Sequence, residues 1–294
     1  MKRENTTSSK VFDILNTIIL TLIAIVCILP IWYTLCVSLS NKSAAAAGIV
    51  RLWPVGLNFN SYKEIMGDWK FFNSFWISIK RVVLGASLNF IVTVLMAYPL
   101  SKSPKEFPLR NLFMWLLIFC MLFNGGLVPW YQTVRSLGLI DNIWALVLGN
   151  SVPMFNVILV MNYFRNLPKE IEEAAEIDGA SPWYILFKIY IPLSVPVLAT
   201  VTLFSIVYHW NEFFNGLILM TRAEHYPLQT YIQQMVVVIN TAGMSEEQIK
   251  ELSKLSNRTL NAAKIFIAMI PILVIYPYLQ RYFIHGITLG SLKE

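Results

Sequence analysis

Charged groups are scarce in this chain of 294 residues, so the places where they gather stand out. One such place is Glu172-Glu173-Ala174-Ala175-Glu176-Ile177-Asp178-Gly179-Ala180-Ser181-Pro182. Ile171, Ala174, Ala175 and Ile177 can line one side of a short helix, leaving Glu172, Glu173 and Glu176 on the other. Gly179 supplies the left-handed backbone that a sharp reversal needs. Ser181 followed by Pro182 reads as an N-cap with proline at the first helical position. A helix-turn-helix topped by alanines is a docking knob. On it the Glu173 carboxylate can pair with an arginine of whatever docks, a contact that is costly to break once buried. The plainer alternative is an ordinary amphipathic surface loop.

The second place is His209-Trp210-Asn211-Glu212, with Asn215 one helical turn further on. It lies inside an apolar segment, where a charge costs about 2.5–3.5 kcal/mol on insertion scales. Glu212 must therefore face a cavity or a partner. Trp210 offers a flat face to a ring, and Asn211 and Asn215 offer donors and acceptors that match hydroxyls. Either these residues line a path for a polar solute, or Glu212 sits near an interface and stabilises helix packing. His209 is read as a hydrogen-bonded packing residue, with a proton relay through Glu212 as the alternative. Lys80 and Arg81 pose the same choice: they snorkel to an interface, or they face a pore and favour acidic solutes such as uronates.

Catalytic signatures are missing. The sequence has no Gly-x-x-x-x-Gly-Lys-Ser/Thr phosphate loop, no His-Glu-x-x-His helix, no Gly-x-Ser-x-Gly elbow and no Rossmann glycine run. Cys27, Cys36 and Cys120 all lie in apolar runs and match no metal, haem or redox spacing. A carboxylate catalyst at Glu212 or Asp141 would need a second acid or a metal cluster, which the spacing does not offer. No catalytic residue, metal or cofactor is expected on this chain.

The elements that position both groups are membrane elements. Hydrophobic residues make up 56% and charged residues 14%, with mean hydropathy +0.57; soluble domains carry about 25% charged residues. The net charge of +6 is scattered rather than patched, which points to membrane interfaces and lipid headgroups and away from nucleic acid. The pattern predicts an all-α polytopic membrane protein, one domain over 1–294, with six spans at about 14–37, 74–99, 110–129, 143–164, 195–219 and 262–283. The polar loop at about 166–194 joins the fourth and fifth. The first apolar run outlasts a cleavable signal segment and is read as a retained anchor. Lys and Arg in the short loops place both termini, and with them the 166–194 loop, in the cytoplasm. Of the outer excursions, residues 39–73 lead into an aromatic group of Trp69, Phe71, Phe72, Phe75 and Trp76. In residues 221–259, the capping box Ser245-Glu246-Glu247-Gln248 opens a short helix bearing Ile249, Leu252 and Leu255, and Asn257-Arg258-Thr259 is a formal glycosylation triplet.

Glu173-Ala174-Ala175, three residues, Gly179, nine residues, then Ile189-Tyr190-Ile191-Pro192 resembles the EAA loop of the membrane subunits of binding-protein-dependent ABC importers. The usual ending is Ile-x-Leu-Pro, so Ile191 departs from it by one branch position. Phe123-Asn124-Gly125-Gly126-Leu127-Val128-Pro129, Leu137-Gly138-Leu139-Ile140-Asp141, Trp210-Asn211-Glu212-Phe213 and Tyr276-Pro277-Tyr278-Leu279-Gln280-Arg281-Tyr282-Phe283 are similar to the carbohydrate group of these permeases. The similarity runs to the maltose-type second permease subunit, in the branch serving complex oligosaccharides. The resemblance implies a bacterial inner-membrane permease, without enzymatic activity, that imports oligosaccharides, with acidic ones favoured. Its implied companions are a second permease in a heterodimer, two ATPases that use ATP and magnesium, and an extracytoplasmic solute-binding protein. Glu173, Ala174, Ala175, Asp178, Gly179, Ile189 and Pro192 would form the coupling helix seated in the ATPase. Trp210, Asn211, Glu212, Asn215, Lys80 and Arg81 would border the substrate path. The tail Gly286–Glu294 is similar to one that reaches between the ATPases. The competing readings are a stand-alone proton-coupled sugar transporter and a membrane enzyme acting on lipid-linked sugars.

Overall fold

The computed structural model describes residues 7–237 and 258–290. The Ser245–Gln248 capping box, the helix expected after it and the last four residues of the tail lie outside that range. Every regular element among the described residues is helical. In chain order they are α1 (Thr7–Ser38), α2 (Lys42–Ala46), α3 (Asn60–Met66), α4 (Trp69–Ser101), α5 (Arg110–Leu122), α6 (Leu127–Ser136), α7 (Ile143–Leu148), α8 (Met154–Arg165) and α9 (Lys169–Ile177). There follow α10 (Pro182–Leu193), α11 (Val195–Asn211), α12 (Phe214–Leu219), α13 (Leu228–Val237) and α14 (Arg258–Gly290).

Among the described residues, three helices are long and apolar enough to cross a membrane: Ser9–Ser38 of α1, all of α4, and Arg258–Pro277 of α14. Two further pairs reach that standard only together, α5 with α6 across a 114° bend and α10 with α11 across an 83° bend. The segment 143–164 is α7 and α8, separated by Gly149–Pro153. Proline and glycine in that short connection interrupt the backbone ladder, so the apolar run divides into two short helices. The most apolar stretch of α1 has no buried residue within the fold; only its last turn, from Cys36 to Ser38, is buried. Such a surface is stable only when something outside the chain covers it.

The chain divides into two compact units, Met1–Trp69 with Gln234–Ile270, and Lys70–Gln233 with Pro271–Glu294. In the first, Cys36, Val37, Ala44, Ala45, Val50 and Ala262 form a small core. Trp32 donates its indole N–H to the Leu52 carbonyl at 2.8 Å and meets Trp53 edge-on. Lys264 of α14 is buried, and its ammonium donates to Asp68 at 2.5 Å.

The second unit has the larger core. Val94, Ala97 and Leu100 of α4 pack with Leu117 of α5, Val157, Val160, Met161 and Phe164 of α8, and Val197, Leu198 and Val201 of α11. Ile185, Leu186 and Tyr190 of α10 enter the same cluster, so the 166–194 loop is rooted in the core. Pro192 has no N–H to give, and just before it the helix widens to a π turn over Leu186–Tyr190. Midway along α4, the His209 ring lies against Gly85, where a β-carbon would stand 2.4 Å from its Nε2. The Asn89 carboxamide lies 3.4 Å from His209 Nε2 and from Ser205 Oγ, while Asn156 donates to Ser205 Oγ at 3.3 Å. These polar groups tie α4, α8 and α11 together.

Candidate functional site

Both sequence clusters belong to the second unit, and α4 touches both. About a third of the way along it, Arg81 is fully buried. Its guanidinium forms an ion pair with the Glu212 carboxylate. A second nitrogen of the same guanidinium donates to the Glu212 carbonyl at 2.7 Å. The other carboxylate oxygen of Glu212 accepts the Asn215 N–H at 2.7 Å, in the first turn of α12. The reason is local: α11 ends at Asn211, Glu212 is extended, and α12 starts at Phe214. A break at membrane depth exposes helix-end carbonyls and N–H groups that lipid cannot satisfy. Arg81 and Glu212 satisfy them.

This places the six residues expected on a substrate path in different surroundings. Arg81 is enclosed and its charge is matched by Glu212, so it offers no free cation to a solute. Lys80 is exposed, with its ammonium 5.7 Å from the centre of the Trp76 ring. Trp210 is buried edge-on against Phe75, at 5.6 Å between ring centres, and presents no open face. Asn211 is exposed. Asn215 is half-buried and borders a cavity of about 700 Å³ between α5, α6 and α12. Asp141, the other lone acid of the apolar region, is a loop clasp. It adopts φ 61° and accepts from the Thr221 and Arg222 N–H groups and from the Arg222 and His225 side chains. Burial alone would raise its pKa, but those four hydrogen bonds outweigh it and hold the carboxyl well below the usual range.

At the far end of α4 stands the second group. Lys102 forms an ion pair with Glu172 of α9, and Tyr190 of α10 donates to the other Glu172 oxygen at 2.6 Å. The Lys102 ammonium also lies over the rings of Tyr98 and Tyr190, at 4.4 and 4.8 Å. Burial pulls its pKa down to about 8, against Glu106 and Glu176, which pull it up. It therefore stays a cation at neutral pH. A cleft of about 550 Å³ opens beside it, lined in part by Glu106, Arg110, Arg165, Glu173 and Glu176.

Because Glu172 is turned inward, α9 presents its faces differently from the sequence expectation. Glu172 and Ala175 face the body of the unit, while Glu173, Ala174 and Ile177 face out. Gly179 takes φ 79° after the helix, and Ser181 accepts the Tyr184 N–H to start α10. Asp178 is exposed, Ile189 packs on the core, and Pro192 follows the π turn. Ile177 is 87% exposed, Trp183 62%, Tyr184 56% and Phe187 53%. Trp183 and Phe187 stack at 6.1 Å. The loop thus carries an apolar patch beside free carboxylates, on a base pinned to α4. Lys102, Tyr190, Asp68 and Lys264 are contacts the sequence reading did not reach. Each partner is distant in sequence, and the one available signal was a basic residue inside or directly after an apolar run.

Residues 3–289 match the family model described as binding-protein-dependent transport system inner membrane component. The chain belongs to this permease family. Among curated relatives, Protein LplC of Bacillus subtilis (strain 168) is 36% identical, with 98% of this chain and 97% of that protein covered. The polygalacturonan/rhamnogalacturonan transport system permease protein YtcP of the same organism is 33% identical, covering 97% and 99%. A chain in the crystal structure of a bacterial ABC transporter involved in the import of the acidic polysaccharide alginate is 35% identical, with a TM-score of 0.83 over 95% of this chain and 98% of that one. The chain is therefore an integral membrane transport component of a binding-protein-dependent system, and not a catalytic enzyme.

A buried pair that closes a helix break should behave as one unit. In a permease purified in detergent, Arg81→Met and Glu212→Gln are each expected to cost about 3–5 kcal/mol of stability. The double variant should lose about 0.5–3 kcal/mol less than the sum of the two. Thermal unfolding of the four proteins checks this, and strict additivity would contradict the pairing.

Proposed function

We propose that this chain is the membrane-spanning subunit of an ATP-driven importer of oligosaccharides, working with a second permease, two ATPase subunits and an extracytoplasmic binding protein. The observation that carries the coupling half of this reading is the patch on the 166–194 loop. Ile177, Trp183, Tyr184 and Phe187 are large, apolar and uncovered, and Glu173 and Asp178 stand beside them. Clustered exposed apolar groups with a polar rim mark a protein interaction site. The partner that fits is an ATPase surface with an apolar cleft edged by arginine or lysine. This loop and both termini then face the cytoplasm, and the Arg81 end of α4 faces outwards.

The substrate half draws on relatives. Those named for polygalacturonan/rhamnogalacturonan transport and for alginate import handle polymers rich in uronic acids. Acidic oligosaccharides are accordingly the proposed substrates. Arg81 lends this no support, since Glu212 neutralises it, so selection for acid rests with the binding protein, the second permease or exposed groups such as Lys80.

Two measurements test the reading. Co-purification of the ATPase with the tagged permease should be lost on Glu173→Lys, whereas the thermal stability of the permease alone should not change, because Glu173 is exposed. Retained co-purification and ATP-driven uptake would remove Glu173 from the interface. Calorimetry on the associated binding protein should detect oligouronates and give much weaker heats with neutral oligosaccharides of equal length. Equal affinities would overturn the acidic preference.

A further inference from the structure

The cavity of about 700 Å³ beside Asn215 is unlike the rest of the spanning region. Its volume falls among those of small-molecule clefts, about 300–1,000 Å³. Two interrupted helices meet there. On one side the chain turns through 114° between α5 and α6, with Gly126 at φ 86° and its N–H held by Asn124 Oδ1 at 2.9 Å. On the other side α12 begins after the Glu212 break. Irregular backbone in a spanning segment persists only where it is enclosed by protein or lines a cavity, and residues of both breaks border this one.

The lining has a definite chemistry. The rings of Trp130, Phe214 and Phe123, the last stacked on Phe119 on one side, line it with the polar Asn124, Asn215 and Thr133. The Asn215 carboxamide, the Asn124 Nδ2 and the Trp130 indole N–H have no hydrogen-bond partner among the described residues, so their donors and acceptors are available to a guest. No charged side chain lines the cavity. The nearest carboxylate, Glu212, is committed to Arg81 and to the Asn215 N–H. Ring faces beside free carboxamides suit a pyranose, whose C–H face stacks on an aromatic while its hydroxyls both donate and accept. They do not suit an isolated carboxylate or an ammonium, which would lose hydration there without gaining a counter-charge.

The structure assigns to this cavity a saccharide subsite that reads the uncharged parts of a sugar ring, its hydroxyls and its stacking face, and takes no part in recognising carboxylates. The inference rests on the oligosaccharide reading above and divides its labour: this chain grips the ring, and charge is selected elsewhere.

The test uses the complete importer, this chain with its companion subunits and binding protein, in proteoliposomes loaded with ATP. Uptake of a labelled oligogalacturonate and of its carboxyl-reduced, neutral counterpart is compared in the wild type and in Trp130→Ala, Asn215→Ala, Trp130→Phe and Asn215→Gln. Both alanine variants should slow uptake about five-fold or more, by the same factor for the two sugars, as the loss of one ring contact or hydrogen bond implies. Trp130→Phe and Asn215→Gln, which keep a ring and a carboxamide, should recover most of the rate. Unchanged uptake in the alanine variants, with wild-type transport intact, would overturn the subsite and leave the oligosaccharide reading standing. A loss confined to the oligogalacturonate would show that charge is read here and overturn the assignment. Loss of the second permease from the purified complex in all four variants would make the cavity a subunit contact instead. If the wild type takes up neither sugar, the substrate reading itself fails and the subsite falls with it.

Discussion

A guanidinium buried in a spanning helix has to find its counter-charge inside the protein, because neither lipid nor bulk water can supply one. Arg81 meets this constraint with Glu212, and the consequences extend well beyond the pair. Since the guanidinium also takes the Glu212 carbonyl, and the carboxylate also takes the Asn215 N–H, one contact seals both sides of a helix break. It caps the chain where α11 stops and α12 begins, and so holds Phe214 and Asn215 beside the cavity. Lys264 and Asp68 solve the same problem in the other unit. Buried ion pairs of this kind add little net stability over an apolar substitute. What they provide here is geometry, fixing where a helix may stop.

α4 gives that geometry its reach. Arg81 lies in its first half and Lys102 directly follows its end, about 20 residues apart, or roughly 30 Å at 1.5 Å per residue. That is about the thickness of a bilayer's hydrocarbon core. At one end α4 holds the break beside the cavity, and at the other it holds α9 through Glu172 and α10 through the same carboxylate and Tyr190. A load applied to the outward face of α9 therefore has a continuous path of packed and ion-paired groups into α4. The proposed coupling needs such an element, one whose position both ends can bias.

Much of this was legible in the residues. Apolar runs announced the helices, Gly179 and Ser181-Pro182 announced the turn between α9 and α10, and the Glu173 motif announced the family. What stayed hidden was pairing. Lys102 and Glu172 are 70 positions apart and Arg81 and Glu212 are 131 apart, and no periodicity links residues at such distances. For the same reason Arg81 and Glu212 were each weighed as a separate path residue, when they neutralise each other. The face of α9 departs from the expectation because hydropathy alone turns carboxylates outward, whereas the half-buried Lys102 turns Glu172 in. The division of 143–164 into two helices came from Gly149 and Pro153, breakers that an apolar average conceals.

The central claim is that this subunit moves solute only when a separate nucleotide cycle works on its inner face. Solute accumulation in sealed proteoliposomes tests it most directly, comparing the complete importer supplied with ATP and binding protein against this chain alone under a proton gradient. The account predicts uphill accumulation in the first case and none in the second. Accumulation against a gradient by the chain alone would contradict it.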